Sequence, residues 1–199
     1  MPNGDNITLA ELLEMRSGLY DYAGAPELPP IFDNDPTRVW APQELLAISF
    51  AQPANFPPGT SYEYSNTNYV LLGLVVEKVD GRPLAKAMQK RLFRPLSLSD
   101  TVYPASTSNV IPRPFAHGYL YGSSSVVITA IPDPPYTPEY QAAIEAGTVQ
   151  PTDHTSLNHS MAYGTGAVIS TADDLATWIR ALVGGRVLNP STCASGSTA

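Results

Sequence analysis

The chain has 199 residues, 43% of them apolar and only 15% charged, with 11 basic against 18 acidic side chains and a net charge of −7. That length suffices for one domain with a real core, and the acidic balance excludes a nucleic-acid backbone as partner, because such binding draws on clustered Lys and Arg. Cys193 is the only cysteine, which excludes an internal disulfide and a thiolate zinc site, and no apolar run approaches the roughly 18 residues of a membrane span.

The first residues, Met1-Pro-Asn-Gly-Asp, lack the basic start and apolar stretch of a signal peptide. Thr8 and Glu11 form a capping box that predicts a helix. Leu9, Leu12 and Leu13 supply its apolar stripe, Arg16 suits its dipole, and Gly18 stands where a left-handed C-cap belongs. Pro42 predicts the start of a second helix that carries Leu45, Leu46 and Ile48. A loop from Gln52 to Thr60 delivers the chain to Tyr64-Ser65-Asn66.

A helix is predicted from Asn66 or Thr67 to Val79, closed by Asp80-Gly81. Its stretch 69–76 is apolar all round, which predicts burial in the middle of a larger core. Pro83 opens another helix with Leu84, Ala87, Met88, Leu92 and Phe93 on its apolar face, stopped by Pro95. The three lysines, Lys78, Lys86 and Lys90, lie here with Arg82, Arg91 and Arg94 and are expected on a solvated face.

From about Asp100 to Ser160 no helical period is visible. Val126 to Ile131 is the best strand candidate, and the rest reads as long loops of the kind that serve a site. The 20 prolines cluster at 26–36, 53–58, 104–114 and 132–138 and predict ordered irregular loops rather than strands. Thr171-Ala172-Asp173-Asp174 caps a last helix bearing Leu175, Trp178, Ile179 and Leu182, ended by Gly184-Gly185. The small, polar residues 191–199, with an inert Cys193 among them, are expected to form a flexible tail.

Tyr64-Ser65-Asn66 alone suits a turn in which Ser65 or Asn66 caps the next helix. Its context points further, because it follows Pro57-Pro58-Gly59-Thr60 and opens the most apolar helix in the chain. Four stretches, in order, resemble the serine β-lactamase and D-alanyl-D-alanine carboxypeptidase family, in the branch with class C β-lactamases and related esterases. They are Ile7 to Leu19, Pro58 to Tyr69 with the following Leu72-Gly73, Arg94 to Thr101, and Tyr163-Gly164-Thr165-Gly166 through Asp173-Asp174-Leu175-Ala176.

The resemblance implies acylation of a serine in a Ser-x-x-Lys motif, with backbone N–H groups as oxyanion hole. Tyr64 would take the serine proton and pass it to the leaving nitrogen, its phenol lowered by the motif lysine. Asn66 would bind the substrate's acyl-amide group, and Ser65 would be spacer and helix cap. Substrates would be D-Ala-D-Ala peptides, β-lactams or esters, with no cofactor, and the family is mostly extracytoplasmic.

Here the chain departs from the pattern. The positions three before the lysines hold Val75, Pro83 and Ala87, so no Ser-x-x-Lys exists, and no Lys-Thr-Gly follows. His117-Gly118 comes too early for the third motif. The expectation is a fragment: residues 1–190 as one truncated domain, mainly α with a few short strands. It would be the helical part of a β-lactamase-like α+β fold with most of the antiparallel sheet missing, inactive alone and able to associate through exposed apolar surface. A non-catalytic binding or interaction module derived from that fold is the alternative.

Other groups carry less. Asp153, His154 and His159 form a His/carboxylate cluster without metal-ligand spacing, so no metal is expected. Asp173-Asp174 reads as a helix start. Tyr119, Tyr121, Tyr136 and Tyr140 suit loop packing more than a cleft lining. Ser17 and Ser61 have no lysine or histidine at a motif spacing.

Overall fold

A computed structural model describes residues 1–124 and 136–188. The expected strand at 126–131 and the expected tail at 191–199, Cys193 included, lie outside the described residues. In chain order the helices are α1 (Leu9–Leu13), α2 (Leu28–Asn34), α3 (Pro42–Phe50), α4 (Asn66–Asp80), α5 (Leu84–Met88), α6 (Pro138–Glu145) and α7 (Ala172–Val183). Two short strands, β1 (Tyr119–Leu120) and β2 (Thr152–Asp153), pair antiparallel with Tyr119 opposite Asp153. The described residues are thus mostly helical, as expected. They divide into two compact units, one of 1–73 with 106–166 and one of 74–105 with 167 onward, and α4 runs from the first into the second.

In the first unit, the Thr8–Glu11 box forms as read: the Thr8 N–H donates to the Glu11 carboxylate at 2.7 Å and the Glu11 N–H to Thr8 Oγ1 at 3.2 Å. The helix stops sooner than expected. Met15, not Gly18, takes the left-handed position at φ 58°, and the Arg16 N–H reaches back to the Glu11 carbonyl at 2.7 Å. Only Leu12 of the expected stripe is buried; Leu9 and Leu13 are more than half exposed. Arg16 lies past the helix end and donates to the Gly59 carbonyl instead of serving the dipole.

Gly18 has a different task. At φ 72° it lies so close to the Phe56 carbonyl that a Cβ there would collide with it. Backbone hydrogen bonds Asn55 N to Gly18 O, Gly59 N to Arg16 O and Glu63 N to Met15 O bind the 55–63 loop along 15–18. That pairing carries Tyr64 to the start of α4. Around it, Leu28 and Leu45 are fully buried, each stabilising by about 2 kcal/mol over exposure, and the rings of Phe32 and Trp40 meet at 5.6 Å. Helix α3 begins at Pro42 as read, with the Glu44 carboxylate accepting from the Ala41 N–H at 2.7 Å.

Helix α6 breaks the expectation of loops between 100 and 160. Its start was legible, since Thr137 caps Tyr140 N at 3.3 Å and Pro138 opens the helix. Its interior was not, because none of its residues is buried and no apolar period marks it.

In the second unit, α5 passes directly into a π-turn at Gln89–Phe93, burying Leu84, Ala87 and Phe93. Arg82 and Arg91 are more than a solvated face: both pair with Asp80, whose carboxyl they hold below its ordinary range. Val102 and Ile169 form an antiparallel bridge with both hydrogen bonds at 2.9 Å. Helix α7 starts as read, with Thr171 Oγ1 accepting from Asp174 N at 3.3 Å. Asp174 is also buried and accepts from Asp100 N at 2.9 Å and Thr101 Oγ1 at 2.7 Å.

One burial expectation fails here, and a second helix leaves apolar side chains exposed in the same way. Of residues 69–76 only Val70 and Gly73 are buried, and Val76 is 40% exposed. On α7, Leu175 and Ile179 are each 54% exposed and Leu182 45%. The described residues cover one face of each helix, and the remaining apolar side chains meet solvent.

Candidate active site

Tyr64, Ser65 and Asn66 stand together at the start of α4, within the first unit. The Tyr64 hydroxyl donates to Asn66 Oδ1 at 3.1 Å, and its ring is 56% exposed. The first turn of α4 is stitched to residues 15–22 by three successive side chains. Asn66 Nδ2 donates to both carboxylate oxygens of Asp21, at 3.2 and 3.0 Å. Thr67 Oγ1 donates to the Tyr20 carbonyl at 2.7 Å and accepts from Tyr22 N at 3.2 Å. Asn68, fully buried, accepts from Ser17 Oγ at 2.5 Å. Ser17 is itself buried and committed to this bond, which removes it as an accessible nucleophile.

Ser65 does not cap the helix through its side chain. Its buried hydroxyl has no hydrogen-bond partner among the described residues, and Asp21 Oδ1 takes the Asn66 N–H at 3.1 Å instead. A carboxylate at a helix start does this more strongly than a hydroxyl.

Asp21 is the residue that sequence reading missed. Besides Asn66 it accepts from Ala23 N at 3.1 Å, and burial pushes its pKa above the ordinary carboxylate value despite these bonds. Because its oxygens occupy the Asn66 NH2 group, the Asn66 carbonyl is the end left for Tyr64. The signal was Asp21 within the Ile7-to-Leu19 resemblance's immediate continuation, but nothing local ties residue 21 to residue 66.

Tyr64 itself is shifted upward. Partial burial raises its phenol above 10, and the charge of Asp21 adds to that. The lysine-lowered phenol that the resemblance implies is not seen among the described residues: burial and the charge of Asp21 lead the upward shift, and no lysine contributes to it.

The His/carboxylate cluster also assembles differently from the sequence reading. Asp153 pairs with His117 Nδ1 at 2.8 Å, and the Thr155 N–H donates to its other oxygen at 2.8 Å. The expected companions, His154 and His159, do not join it. Among the described residues no three His, Cys, Asp or Glu side chains stand close enough to share a metal ion. Of the tyrosines, Tyr136 and Tyr140 pack together at 5.3 Å and the Tyr136 hydroxyl donates to the Tyr121 carbonyl, while Tyr119 stacks on His117 at 6.1 Å.

Residues 2–198 match the Beta-lactamase family, and the chain belongs to it. It is similar over its whole length to a D-stereospecific amidohydrolase from Streptomyces sp., at 33% identity and a TM-score of 0.80, covering 54% of that protein. The D-amino acid amidase of Ochrobactrum anthropi SV3, solved with D-phenylalanine, is 28% identical over 96% of this chain and 48% of its own, with a TM-score of 0.70. A penicillin-binding protein from Bacillus halodurans shares the fold at a TM-score of 0.68 and 22% identity, over 96% of this chain and 54% of that one. The chain thus spans about half the length of these solved relatives. No described helix is long and apolar enough to cross a membrane.

Proposed function

We propose that Tyr64 and Asn66 are the proton-carrying and acyl-amide-binding residues of a serine acyl-transfer site, and that this chain alone does not acylate. The observation that carries it is the 3.1 Å contact between the Tyr64 hydroxyl and Asn66 Oδ1, on a helix start fixed by Asp21. Two relatives are named for action on D-configured amides, which favours that class among the D-Ala-D-Ala peptides, β-lactams and esters the family handles.

In the reaction, the nucleophilic serine's proton passes to the Tyr64 oxygen as the alkoxide attacks the substrate carbonyl. The same proton then leaves with the amine as the C–N bond breaks, and water hydrolyses the acyl-enzyme. Accepting a proton requires the phenolate. With its pKa raised, Tyr64 is protonated near neutral pH and acts as a donor. A Ser-x-x-Lys segment would supply both missing parts: the nucleophile and the cation that lowers the phenol. On this view residues 1–190 form one portion of the family's domain, chiefly its helical part, with most of the sheet supplied by other sequence.

The test is incubation of the chain with a fluorescent penicillin, followed by intact-mass measurement. The expected result is no covalent adduct, and an acyl-enzyme at any serine overturns the inactivity. In a longer polypeptide that carries Ser-x-x-Lys, Tyr64→Phe is expected to cut kcat by at least about 100-fold, the usual minimum for a positioned acid–base.

The donor state of Tyr64 also favours a second reading, a non-catalytic module that binds an acyl-amide at Tyr64 and Asn66. Saturable binding of D-phenylalanine amide without turnover, lost in Tyr64→Ala, is its signature.

A further inference from the structure

Away from Tyr64 in sequence, the first unit carries a second group of chemistry-bearing side chains. Arg113, Phe115, His117 and Tyr119 alternate along the chain and meet side by side, the period of an extended segment. The Arg113 guanidinium lies 5.8 Å from the Phe115 ring, Phe115 lies 5.5 Å from His117, and His117 stacks on Tyr119 at 6.1 Å. The row is held by the β1–β2 pair, with His154 N donating to the Gly118 carbonyl at 2.9 Å and Gly118 N to Thr155 Oγ1 at 3.0 Å. Beside it is a groove of about 710 Å³ whose lining includes Val110, Ile111, Phe115, Arg113, His117 and Asp153. That volume falls in the range of small-molecule sites.

Each polar group in the groove has a defined capacity. Asp153 has both oxygens engaged, by His117 Nδ1 and the Thr155 N–H, and its pKa is held down to about 2 by Thr155 first and His117 second. A carboxylate can only accept, so His117 Nδ1 carries a hydrogen toward Asp153, and in the neutral ring Nε2 is the acceptor left for a ligand. His117 is 53% exposed, so that nitrogen is reachable. Arg113 has no carboxylate partner among the described residues, and Val110 is 75% exposed. Apolar side chains, a guanidinium with no carboxylate partner among the described residues and an imidazole therefore line one groove.

We propose that this groove binds the carboxyl-terminal end of an N-acylated apolar amino acid, free or as the last residue of a peptide. Its carboxylate pairs with Arg113, its N–H donates to His117 Nε2, and its side chain lies on Val110, Ile111 and Phe115. The site does not depend on the acyl-transfer reading, because it uses neither Tyr64 nor Asn66.

The test is NMR titration of the 199-residue chain with N-acetyl-phenylalanine, its carboxamide, N-acetyl-glycine and a tripeptide ending in Phe. The acid is expected to shift the Arg113 Nε and His117 ring signals saturably. The carboxamide should bind about tenfold more weakly, the scale of one charge-assisted hydrogen bond, and N-acetyl-glycine more weakly than the aromatic acid. Arg113→Gln should erase the preference for acid over carboxamide, and Phe115→Ser the preference for Phe over Gly. Tyr64→Phe should leave binding unchanged. Tighter binding of the tripeptide names a peptide terminus as the source, and tighter binding of the single residue names the free acyl amino acid; both support the site. Equal affinity for acid and carboxamide, shifts confined to other residues, or no saturable binding in the millimolar range overturns it.

Discussion

The two compact units solve the same problem with different materials. The first buries polar side chains and pairs them across long sequence separations: Ser17 with Asn68, Thr67 with Tyr20 and Tyr22, and Ser160 Oγ with Trp40 N at 2.8 Å. Among the described residues the second has one comparable anchor, Asp174, and beside its small core leaves apolar side chains exposed, Val76 and Val79 on α4 and Leu175, Ile179 and Leu182 on α7. A buried hydrogen bond demands one geometry, so the first unit fixes the start of α4 on residues 17–22. An uncovered apolar face tolerates many neighbours, so the second specifies a surface.

The sharpest way to break that contrast is Gly18→Ala. It places a Cβ against the Phe56 carbonyl at a positive φ, and a loss of about 3 kcal/mol is expected in chemical denaturation. A change under 1 kcal/mol would mean that the 55–63 loop is not fixed on 15–18.

Asp21→Ala removes the acceptor for Ala23 N, Asn66 N and Asn66 Nδ2 and is expected to cost about 2 kcal/mol. It should also move the Tyr64 phenol downward, because the Asp21 charge contributes to holding it up. Ultraviolet titration of tyrosinate in the variant and the parent checks the second effect, which simple unfolding does not mimic.

In the second unit, Leu175→Lys and Ile179→Lys are expected to change stability by less than about 0.5 kcal/mol, since both side chains already face solvent. The same variants should lower self-association in analytical ultracentrifugation and binding of an apolar dye. A large stability loss would show that this face is covered.

The smallest effect concerns pH. Asp153 titrates at about 2 in the fold, below its ordinary value near 3.8, so its bonds stabilise the β1–β2 clasp above that ordinary value. The contribution falls away as pH drops through the 4-to-2 interval and is absent below it. Both partners are largely exposed, so faster amide exchange at His154 is expected before any global change.

Sequence alone determined the parts that obey local rules. The Thr8–Glu11 box, the Pro42 start of α3, the Asn66-to-Asp80 helix and the Thr171 cap all depend on residues within one or two turns of each other. The Tyr64-Ser65-Asn66 motif was legible by the same token, as were the family and the absence of Ser-x-x-Lys. Tertiary structure decided everything that joins distant positions. Asp21 reaches Asn66 across 45 residues and His117 reaches Asp153 across 36, and no spacing rule connects such pairs. It also decided which apolar residues are inside: periodicity shows that Leu175 and Ile179 share a face with Trp178, but only the packed neighbours determine whether that face is covered. A helix records its own preference for burial in sequence, whereas burial itself depends on a second surface being there.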